Sequence, residues 1–543
     1  MKKKILSLAV AAGLSGVMAG AAHAAMHIND KGMGEALVYP FYSAQGGNDT
    51  YIHVTNTTDF TKAVKVRFIE AENSAEVLDF NLYLSPHDVW AAAITASPQG
   101  GGIIRTVDTS CTVPDLGQGN PSGGNHGGTR TRLDNGQVLR EQYFSSNAYR
   151  NTDDTNKSIA RTAAGYVEII EMGQLDSTFG LGNAALHDGD GIPNDRDGDA
   201  MNPCADLVGA WANGGTWRNQ AGTDGTATAE LLDWHGEGED GISPAGGLWG
   251  YGVVLNVAQG TAVGYDAIAI DDFNGDLESE TFRNLHYAPG NNLPSLQQAQ
   301  PIASIFDGAN ATDYLFDDGE KAVSALFMSN TISNDYVTDP DINAATDWVV
   351  TMPTKRFFSV APVSAPFTRA WDGTKACEAV GMEHWDREEA FTPPEEEGFS
   401  PAPPQVDLPG FALCTEVSIV QFGDYSTLNG SNRITYGFPT NHVDGWARMS
   451  FEPLASGLST GDRELVGENL DTEADVAFIG LPVIGFAAIS YQNNAPVEGS
   501  SFGQNYSAGV THKSEQLIIL GETDTDNGVD EGEGEGEGEG GPF

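Results

Sequence analysis

The feature that most constrains the fold is a series of short segments in which apolar and polar residues alternate. In one of them, Val64, Lys65 and Val66 follow one another, and this alternation is typical of a strand with one buried and one exposed face. Clusters of Gly, Asn, Asp and Thr separate the segments and predict turns. Strands of this length and spacing predict an all-β fold, an antiparallel β-sandwich of immunoglobulin-like or jelly-roll-like form with long irregular insertions. The first predicted strands cover residues 36–43, 51–56, 63–70, 77–84 and 89–94.

Similar segments continue to the end of the chain. Residues 248–257 and 261–270 flank a short turn and predict a hairpin, and residues 205–213 predict the one short helix. The other predicted strands cover residues 165–171, 322–329, 347–352, 356–360, 416–422, 445–451, 476–479, 484–491, 505–512 and 516–520.

The N-terminus predicts secretion. Three lysines precede an apolar stretch over residues 5–20, and Ala22-His23-Ala24 follows. This is the pattern of a signal peptide with a small-x-small cleavage site, so residues 1–24 are predicted to be removed. No run of eighteen apolar residues follows, so no membrane-spanning helix is expected. We expect the protein to be extracellular or on the outer cell surface, and the periplasm is the alternative compartment.

Composition divides the mature chain into regions. Residues 25–375 are predicted to form a β-sandwich with excursions at about 111–160 and 175–245. Residues 376–412 are predicted to form a Pro/Glu-rich loop closed by a disulfide, and its part from 392 to 409 is expected to contain no core strand. Residues 413–522 predict a C-terminal β region, either separate or part of the same sandwich. Residues 523–543 contain a five-fold Glu-Gly repeat and predict a disordered acidic tail.

The chain contains four cysteines, Cys111, Cys204, Cys377 and Cys414. An even number in an oxidising compartment predicts two disulfides, for which three connectivities can be drawn. We favour pairing of sequence neighbours, because each bridge then closes one irregular excursion. The second bridge would close the Pro/Glu-rich loop.

The charge balance excludes one class of partner. The chain has 76 acidic and 27 basic residues, for a formal net charge of −49. Such a chain repels phosphate backbones, so nucleic-acid binding is not expected. An excess of acid in a secreted protein instead suggests cation binding, solubility in salt water, or both.

One segment, residues 187–199, combines residue types and spacing that predict a cation site. Alternating Asp and Gly lets a tight loop direct several carboxylates at one centre, and Ca²⁺ takes six to eight oxygen ligands. A solvated acidic loop is the alternative interpretation. The predicted Ca²⁺ ligands are Asp188, Asp190, Asn194, Asp195, Asp197, Asp199 and Asp206.

Two known calcium loops share parts of this pattern. Asp195, Asp197 and Asp199 match positions 1, 3 and 5 of a helix-loop-helix calcium loop, with Asp206 at position 12, but Ala200 replaces the Gly of position 6. Residues 188–199 more closely resemble a thrombospondin type 3 repeat, and the resemblance implies a local calcium site in an extracellular protein. The acidic runs at 272–278 and 524–530 are weaker, and we expect both to be solvated turns.

Longer phrases at residues 37–42, 77–86, 346–357 and 480–486 resemble an uncharacterised family of secreted surface proteins of Gram-negative bacteria. The resemblance implies a secreted surface protein and transfers no catalytic residues.

Two common catalytic motifs are absent from the sequence. It contains no His-Glu-x-x-His and no phosphate-binding Gly-Lys-Ser/Thr. Trp211, Trp217 and Trp234 could form a sugar-stacking surface or a cluster around the ion site, whereas Trp249 leads a predicted strand and is expected in the core.

These observations predict a secreted, calcium-binding structural or adhesive protein of the cell surface without catalytic activity. Its partner would be a glycan, a cell-surface protein or another copy of itself. Two alternatives remain open: an extracellular hydrolase acting on polysaccharide, and a filament or surface-layer subunit assembled by β-strand addition.

Removal of Ca²⁺ is expected to loosen the 175–245 excursion first and to leave the β framework folded, because the clustered aspartates repel one another without the cation. Calorimetry should detect heat when Ca²⁺ is added, and EDTA should lower the unfolding temperature. No heat of Ca²⁺ uptake, with an unfolding temperature indifferent to EDTA, would contradict this prediction.

Overall fold

The computed structural model describes most of the chain after the predicted signal peptide, which lies outside the described residues, as does the acidic tail. The described residues are 25–117, 127–150, 153, 156–175, 177, 180–187, 193, 204–215, 217, 246–275, 285–307, 310–389, 391–392, 411–437, 442–453, 458, 461–493 and 504–520.

The described residues of the first half of the chain form fourteen strands. They are β1 His27–Ile28, β2 Ala36–Ser43, β3 Asn48–Asn56, β4 Thr61–Glu70, β5 Glu76–Leu84, β6 Val89–Ala96, β7 Gly102–Thr106, β8 Cys111–Val113, β9 Gly128–Arg132, β10 Val138–Tyr143, β11 Ala164–Leu175, β12 Leu248–Asn256, β13 Thr261–Asp266 and β14 Ile268–Asp271.

These strands form two seven-stranded sheets that pack face to face. The first sheet has the order β1-β14-β2-β11-β4-β5-β8, and the second has the order β13-β12-β3-β6-β7-β10-β9. Between them, the Tyr39 hydroxyl donates to the His53 carbonyl at 2.7 Å, and the rings of Phe80 and Trp90 meet edge-on with centroids 5.8 Å apart. The predicted all-β, antiparallel sandwich-like fold is confirmed.

The first sheet is buried on both faces, which corrects the expectation of a half-buried strand at residues 63–70. All ten residues of β4 are buried, although three of them are cations. Their charges are tolerated because each cation meets a carboxylate of a neighbouring strand. The pairs are Lys62 with Glu171 at 2.6 Å, Lys65 with Asp79 at 3.1 Å, and Arg67 with both Glu168 and Glu76.

The second half supplies the remaining strands. They are β15 Ile302–Asp307, β16 Asn310–Leu315, β17 Met328–Ser329, β18 Thr331–Val337, β19 Ala344–Thr351, β20 Glu378–Ala379, β21 Gly381–Asp386, β22 Phe391–Thr392, β23 Ala412–Leu413, β24 Val417–Phe422, β25 Arg433–Tyr436, β26 Asp444–Ser450, β27 Glu464–Asn469, β28 Ala474–Ile479, β29 Leu481–Pro482, β30 Ile484–Asn493, β31 Gln504–Thr511, β32 Lys513–Glu515 and β33 Leu517–Leu520.

Three five-stranded sheets organise this half. The third sheet has the order β15-β16-β27-β28-β33, the fourth β22-β21-β26-β18-β32, and the fifth β25-β24-β19-β30-β31. Two-strand pairs β17-β29 and β20-β23 complete the set. Strands from residues 302–351 therefore pair with strands of the C-terminal β region, 413–522.

Helices in the described part of the chain are short. Two of them cover residues 322–327 of the strand predicted at 322–329 and residues 356–358 of the strand predicted at 356–360, so these predictions are wrong there, and only Met328 and Ser329 form a strand. The first of these helices begins where the Asp318 side chain accepts a hydrogen bond from the Lys321 amide at 2.9 Å, a cap that favours helix over strand. In the described part of the chain, no helix reaches the length and hydrophobicity needed to cross a lipid bilayer. The α-helices are α1 Asn147–Arg150, α2 Gly180–Ala184, α3 Ala205–Ala210, α4 Gly319–Phe327 and α5 Lys355–Phe358, and the 3₁₀ helices are Ile159–Ala163, Leu296–Gln298 and Pro340–Ile342.

A buried carboxyl group organises the loop between β24 and β25. Asp347 lies on β19, and its Oδ2 accepts hydrogen bonds from the Ser426 hydroxyl at 2.6 Å and from the Leu428 amide at 2.7 Å. Burial raises the pKa of Asp347 from its ordinary value of 3.8 to about 6, and the two hydrogen bonds oppose that rise. The folded protein therefore holds this proton more tightly than the unfolded chain does.

The same loop joins the two halves of the chain. The side-chain amide of Asn48, at the start of β3, donates to the Leu428 carbonyl. Nearby, Gln45 Oε1 accepts hydrogen bonds from the amide and the hydroxyl of Ser431, at 2.7 and 2.8 Å. The loop held by Asp347 is thus part of the contact between the halves.

Replacing Asp347 with Asn is expected to remove one step in the pH dependence of stability. Because the pKa of Asp347 is raised by folding, its contribution is complete below about pH 4 and is lost as the pH rises to about 6. Between those values, the free energy of unfolding of the wild type should fall by about 3 kcal/mol relative to Asp347→Asn. Urea unfolding at several pH values measures this difference.

The matched control is Asp30→Asn, which changes an exposed carboxylate. It should follow the wild type at every pH. Parallel pH profiles of wild type and Asp347→Asn would contradict the raised pKa of Asp347.

Candidate functional site

The predicted calcium loop lies almost wholly outside the described residues. Of its predicted ligands, only Asp206 is described, and it is exposed in the first turn of α3. Within the described part of the chain, no three His, Cys, Asp or Glu side chains are arranged to hold a metal ion. The ligands outside it are Asp188, Asp190, Asn194, Asp195, Asp197 and Asp199.

Both ends of this loop are anchored on the first half. His187 hydrogen-bonds through its two ring nitrogens to the hydroxyls of Ser85 and Thr109, at 3.0 and 3.2 Å. At the other end, a disulfide joins Cys204 to Cys111 of β8, with Cα atoms 5.4 Å apart. The loop therefore begins and ends on the edge of the first sheet.

The second disulfide joins Cys377 to Cys414, with Cα atoms 3.7 Å apart. Both bridges follow the neighbouring pairing that the sequence favoured.

Two tryptophans of the excursion lie in the core rather than on a sugar-stacking surface. Trp211 and Trp217 are buried beside Tyr83 and His286, and Trp211 Nε1 donates to the Tyr83 hydroxyl at 2.8 Å. Burial lowers the pKa of His286 to about 3, so the imidazole is neutral. This cluster fixes α3 against the first sheet. Trp234 lies outside the described residues.

The acidic run at 272–278 is described as far as Gly275. It forms a turn, but the turn is buried rather than solvated, because Phe273 and Asn274 are both inaccessible. The Asn274 amide donates to the Glu35 carboxylate at 2.8 Å. Burial, followed by the nearby Glu171 carboxylate, raises the pKa of Glu35 well above its ordinary value. The other weak run, 524–530, lies outside the described residues.

A row of exposed and half-buried aromatic rings crosses the outer face of the second sheet. Trp249 and Tyr251 alternate along β12, and their rings are nearly parallel, with centroids 5.9 Å apart. Tyr251 lies opposite His53 of β3, and those rings stack at 4.5 Å. With Tyr51, these residues form what we call the aromatic ridge. Trp249 and Tyr51 are 39% and 41% exposed, so the expectation that Trp249 lies in the core is wrong.

The ridge faces outward because the inner face of β12 is already occupied. A Cβ atom at Gly250 would lie 1.9 Å from the Tyr39 hydroxyl, and one at Gly252 would lie 2.2 Å from the Tyr265 hydroxyl. Side chains of the first sheet and of β13 thus fill the space under β12. The bulky residues of that strand are left on the solvent side.

Polar groups continue the same face beyond the ridge. Residues directly opposite on neighbouring strands share a face. Across the face, the register of β12, β3, β6, β7, β10 and β9 aligns Val253, Tyr51, Ala93, Arg105, Glu141 and Thr129.

Charge is balanced within this polar part. Arg105 Nε donates to one oxygen of Glu141 at 2.8 Å, and the Thr129 hydroxyl donates to the other at 2.7 Å. Burial lowers the pKa of His53 below its ordinary value, so the imidazole in the ridge is neutral at neutral pH. The face therefore combines exposed rings with hydrogen-bonding groups whose charges are paired.

Beside the ridge, the second and fifth sheets meet along a seam between β13 and β31. Ser507 Oγ accepts a hydrogen bond from the Ala262 amide at 2.7 Å and donates to the Ala262 carbonyl at 2.6 Å. Two residues further on, a Cβ at Gly509 would lie 1.9 Å from the Gly264 carbonyl oxygen. Every second residue of this part of β31 thus faces β13.

A pocket of about 190 Å³ opens at the end of the seam. Tyr251 of the ridge forms one wall, and the stacked rings of Tyr265 and Phe486, 4.8 Å apart, line it as well. Asp266 and Thr511 contribute a carboxylate and a hydroxyl. The remaining lining residues are Gly264 and Gly509. We call this the seam pocket.

The ridge and the seam pocket together can bind an elongated molecule with both apolar faces and hydroxyl groups. The rings offer flat apolar area, and Asp266, Thr511, Arg105 and Glu141 offer hydrogen-bond acceptors and donors. The sequence contains a pattern that indicates this outward-facing aromatic surface. Aromatic residues at 249 and 251 alternate with Gly250 and Gly252, and a strand whose inner residues are glycines directs its large side chains outward.

Comparisons of the chain with protein-family models, with curated proteins and with solved structures found no match.

Gly509→Ala is expected to force β31 away from β13, because the added methyl group would overlap the Gly264 carbonyl oxygen. Overpacking of this kind costs about 1–3 kcal/mol, which urea unfolding measures. The matched control is Gly264→Ala on the facing strand, where a Cβ meets nothing within 4 Å. Equal stability of the two variants would contradict the close contact at the seam.

Proposed function

We propose that this protein is a secreted adhesive or structural component of the cell surface that binds a neutral polysaccharide along the aromatic ridge. The observation that carries the proposal is the exposure of aligned rings on a sheet whose core is complete without them. Contiguous exposed apolar area on a folded protein is a common mark of a binding site.

A polysaccharide matches the two parts of this face. The C–H groups on the flat side of a pyranose ring pack against an aromatic ring, while its hydroxyls need donors and acceptors at the edge. The ridge supplies the rings, and the Arg105–Glu141 pair supplies the polar groups. The seam pocket, which begins at Tyr251, offers a place for one sugar residue.

Charge and shape narrow the class of glycan. A chain of net charge −49 repels anionic polymers, so we propose a neutral one. Small residues, Ala91, Ala93 and Gly264, lie beside the rings and keep the face flat. A β-1,4-linked polysaccharide is a flat ribbon and suits such a face better than a helical α-linked chain.

Calcium has a supporting part in this proposal. The predicted ion loop begins and ends where His187 and Cys204 meet the first sheet. Ca²⁺ would neutralise its aspartates and order the loop against that anchored base.

One observation favours the alternative of assembly by strand addition. In the described part of the chain, β33 pairs only with β28 and forms the edge of the third sheet. Leu517 and Ile519 on this strand are 38% and 50% exposed. An apolar edge strand is a template for another chain.

The proposal is tested by adsorption of the purified protein to amorphous cellulose, mannan and chitin, with alginate as the anionic comparison. We expect binding to at least one neutral polymer and none to alginate. Trp249→Ala should weaken that binding by about tenfold, the equivalent of about 1.4 kcal/mol, because it removes one ring from the ridge.

The matched control is Val257→Ala, which shortens an 85% exposed side chain in the turn of the same hairpin and should bind like the wild type. Failure of the wild type to bind any of the neutral polymers would overturn the proposal. Release of reducing sugar during the assay would favour the hydrolase instead.

A further inference from the structure

A second pair of stacked rings, one exposed and one half-buried, lies on the fourth sheet, in the other half of the chain. Trp385 of β21 and Trp446 of β26 are directly opposite in the strand register. Their rings stack with centroids 4.1 Å apart and planes 10° from parallel. Trp446 is 39% exposed, the same fraction as Trp249 of the ridge.

These rings are not needed to complete the core. On the opposite face of the same two strands, Met382, His384, Ala447 and Met449 are buried. A cross-strand pair of tryptophans stabilises a sheet wherever it lies, but that role alone does not require exposure. The pair therefore offers apolar area to solvent above a face that is already packed.

Polar groups flank the rings, as they flank the ridge. Arg448 lies opposite Glu383, and its guanidinium meets that carboxylate at 2.6 Å. The same guanidinium carbon lies 5.3 Å from the centre of the Trp385 ring. On the other side of β26, Asp335 is directly opposite Trp446. Rings and a charge-balanced Arg–Glu pair thus recur together, with no residue in common with the ridge.

We propose that Trp385 and Trp446 form a second binding surface for the same class of neutral β-1,4-linked polysaccharide. This inference rests on the function proposed for the ridge. Charge favours this occupant, because Arg448 is already neutralised by Glu383 and a neighbouring carboxylate, Asp335, would repel an anionic ligand. The groups that remain can exchange hydrogen bonds with sugar hydroxyls.

Two such surfaces on one chain have a consequence for attachment. Once one surface holds a polymer, the second binds from a high effective concentration, so the pair holds an insoluble matrix more tightly than either surface alone. The two surfaces can also hold separate polymers and link them. One chain would then act as a cross-linker without forming a dimer.

The test counts binding sites with a soluble probe. The probe is the hexasaccharide of whichever polymer adsorbs most protein: cellohexaose, mannohexaose or chitin hexaose. Equilibrium dialysis of the full-length protein should give two molecules bound per chain. Trp249→Ala and Trp446→Ala should each bind one, and the double variant should bind none. On the insoluble polymer, each single variant should lose at least about tenfold in apparent affinity.

Arg448→Gln provides a second variant that keeps both rings, and it should weaken binding at the fourth-sheet surface alone. It keeps the inference testable if Trp446→Ala fails to fold, which circular dichroism reports. Sedimentation velocity without sugar separates cross-linking by two surfaces from self-association.

One hexasaccharide per wild-type chain, with no effect of Trp446→Ala or Arg448→Gln, would overturn this inference and leave the ridge proposal standing. No binding by the wild type would overturn the ridge proposal and this inference with it.

Discussion

The structure depends on a sheet that is covered on both faces and still contains charged side chains. Isolated charges cannot be buried, because the loss of hydration costs several kcal/mol per ion. The first sheet meets this constraint because each cation of β4 forms an ion pair with a carboxylate of β11 or β5. Lys62 and Glu171 are both fully inaccessible and 2.6 Å apart. Because the charges are paired, the first sheet can pack against the second sheet on one face and against other segments of the chain on the other face.

The same solution recurs next to that sheet. Arg161 is fully buried and reaches both oxygens of Glu70, at 2.6 and 2.7 Å. Its guanidinium also lies 4.2 Å from the centre of the Tyr149 ring. Glu70 in turn accepts hydrogen bonds from the amides of the turn that follows β4, including that of Ala75 at 2.9 Å. Buried ion pairs therefore fix the turns as well as the strands. Removal of one partner would leave the other as an uncompensated buried charge.

Much of the strand framework could be predicted from the sequence, because alternation and turn residues are local signals. The strand predicted at 36–43 matches β2. The hairpin predicted at 248–270 contains the antiparallel pair β12 and β13, but the chain after Asp266 forms β14, which belongs to the first sheet. Local sequence patterns gave the wrong secondary structure where contacts outside the segment determine it. Residues 322–326 form part of α4, because Asp318 caps that helix, and apolar runs of this length suit helix and strand equally.

The candidate site was less predictable, for a related reason. Whether Trp249 faces in or out depends on Tyr39 and Tyr265, which are distant in sequence and occupy the space under Gly250 and Gly252. The disulfides were predictable, since pairing of neighbours closes each excursion. The calcium loop was identified from its aspartates, and it stays a prediction.

One detail of the seam bears on the behaviour of the protein at high concentration. The hydroxyl of Ser507 hydrogen-bonds to both the amide and the carbonyl of Ala262 on β13. This strand is the border strand of a seven-stranded sheet. A border with free amides and carbonyls recruits strands from other molecules and seeds aggregates. By bonding to this position internally, the serine occupies backbone groups at the border of the sheet that would otherwise be open to a strand of another molecule.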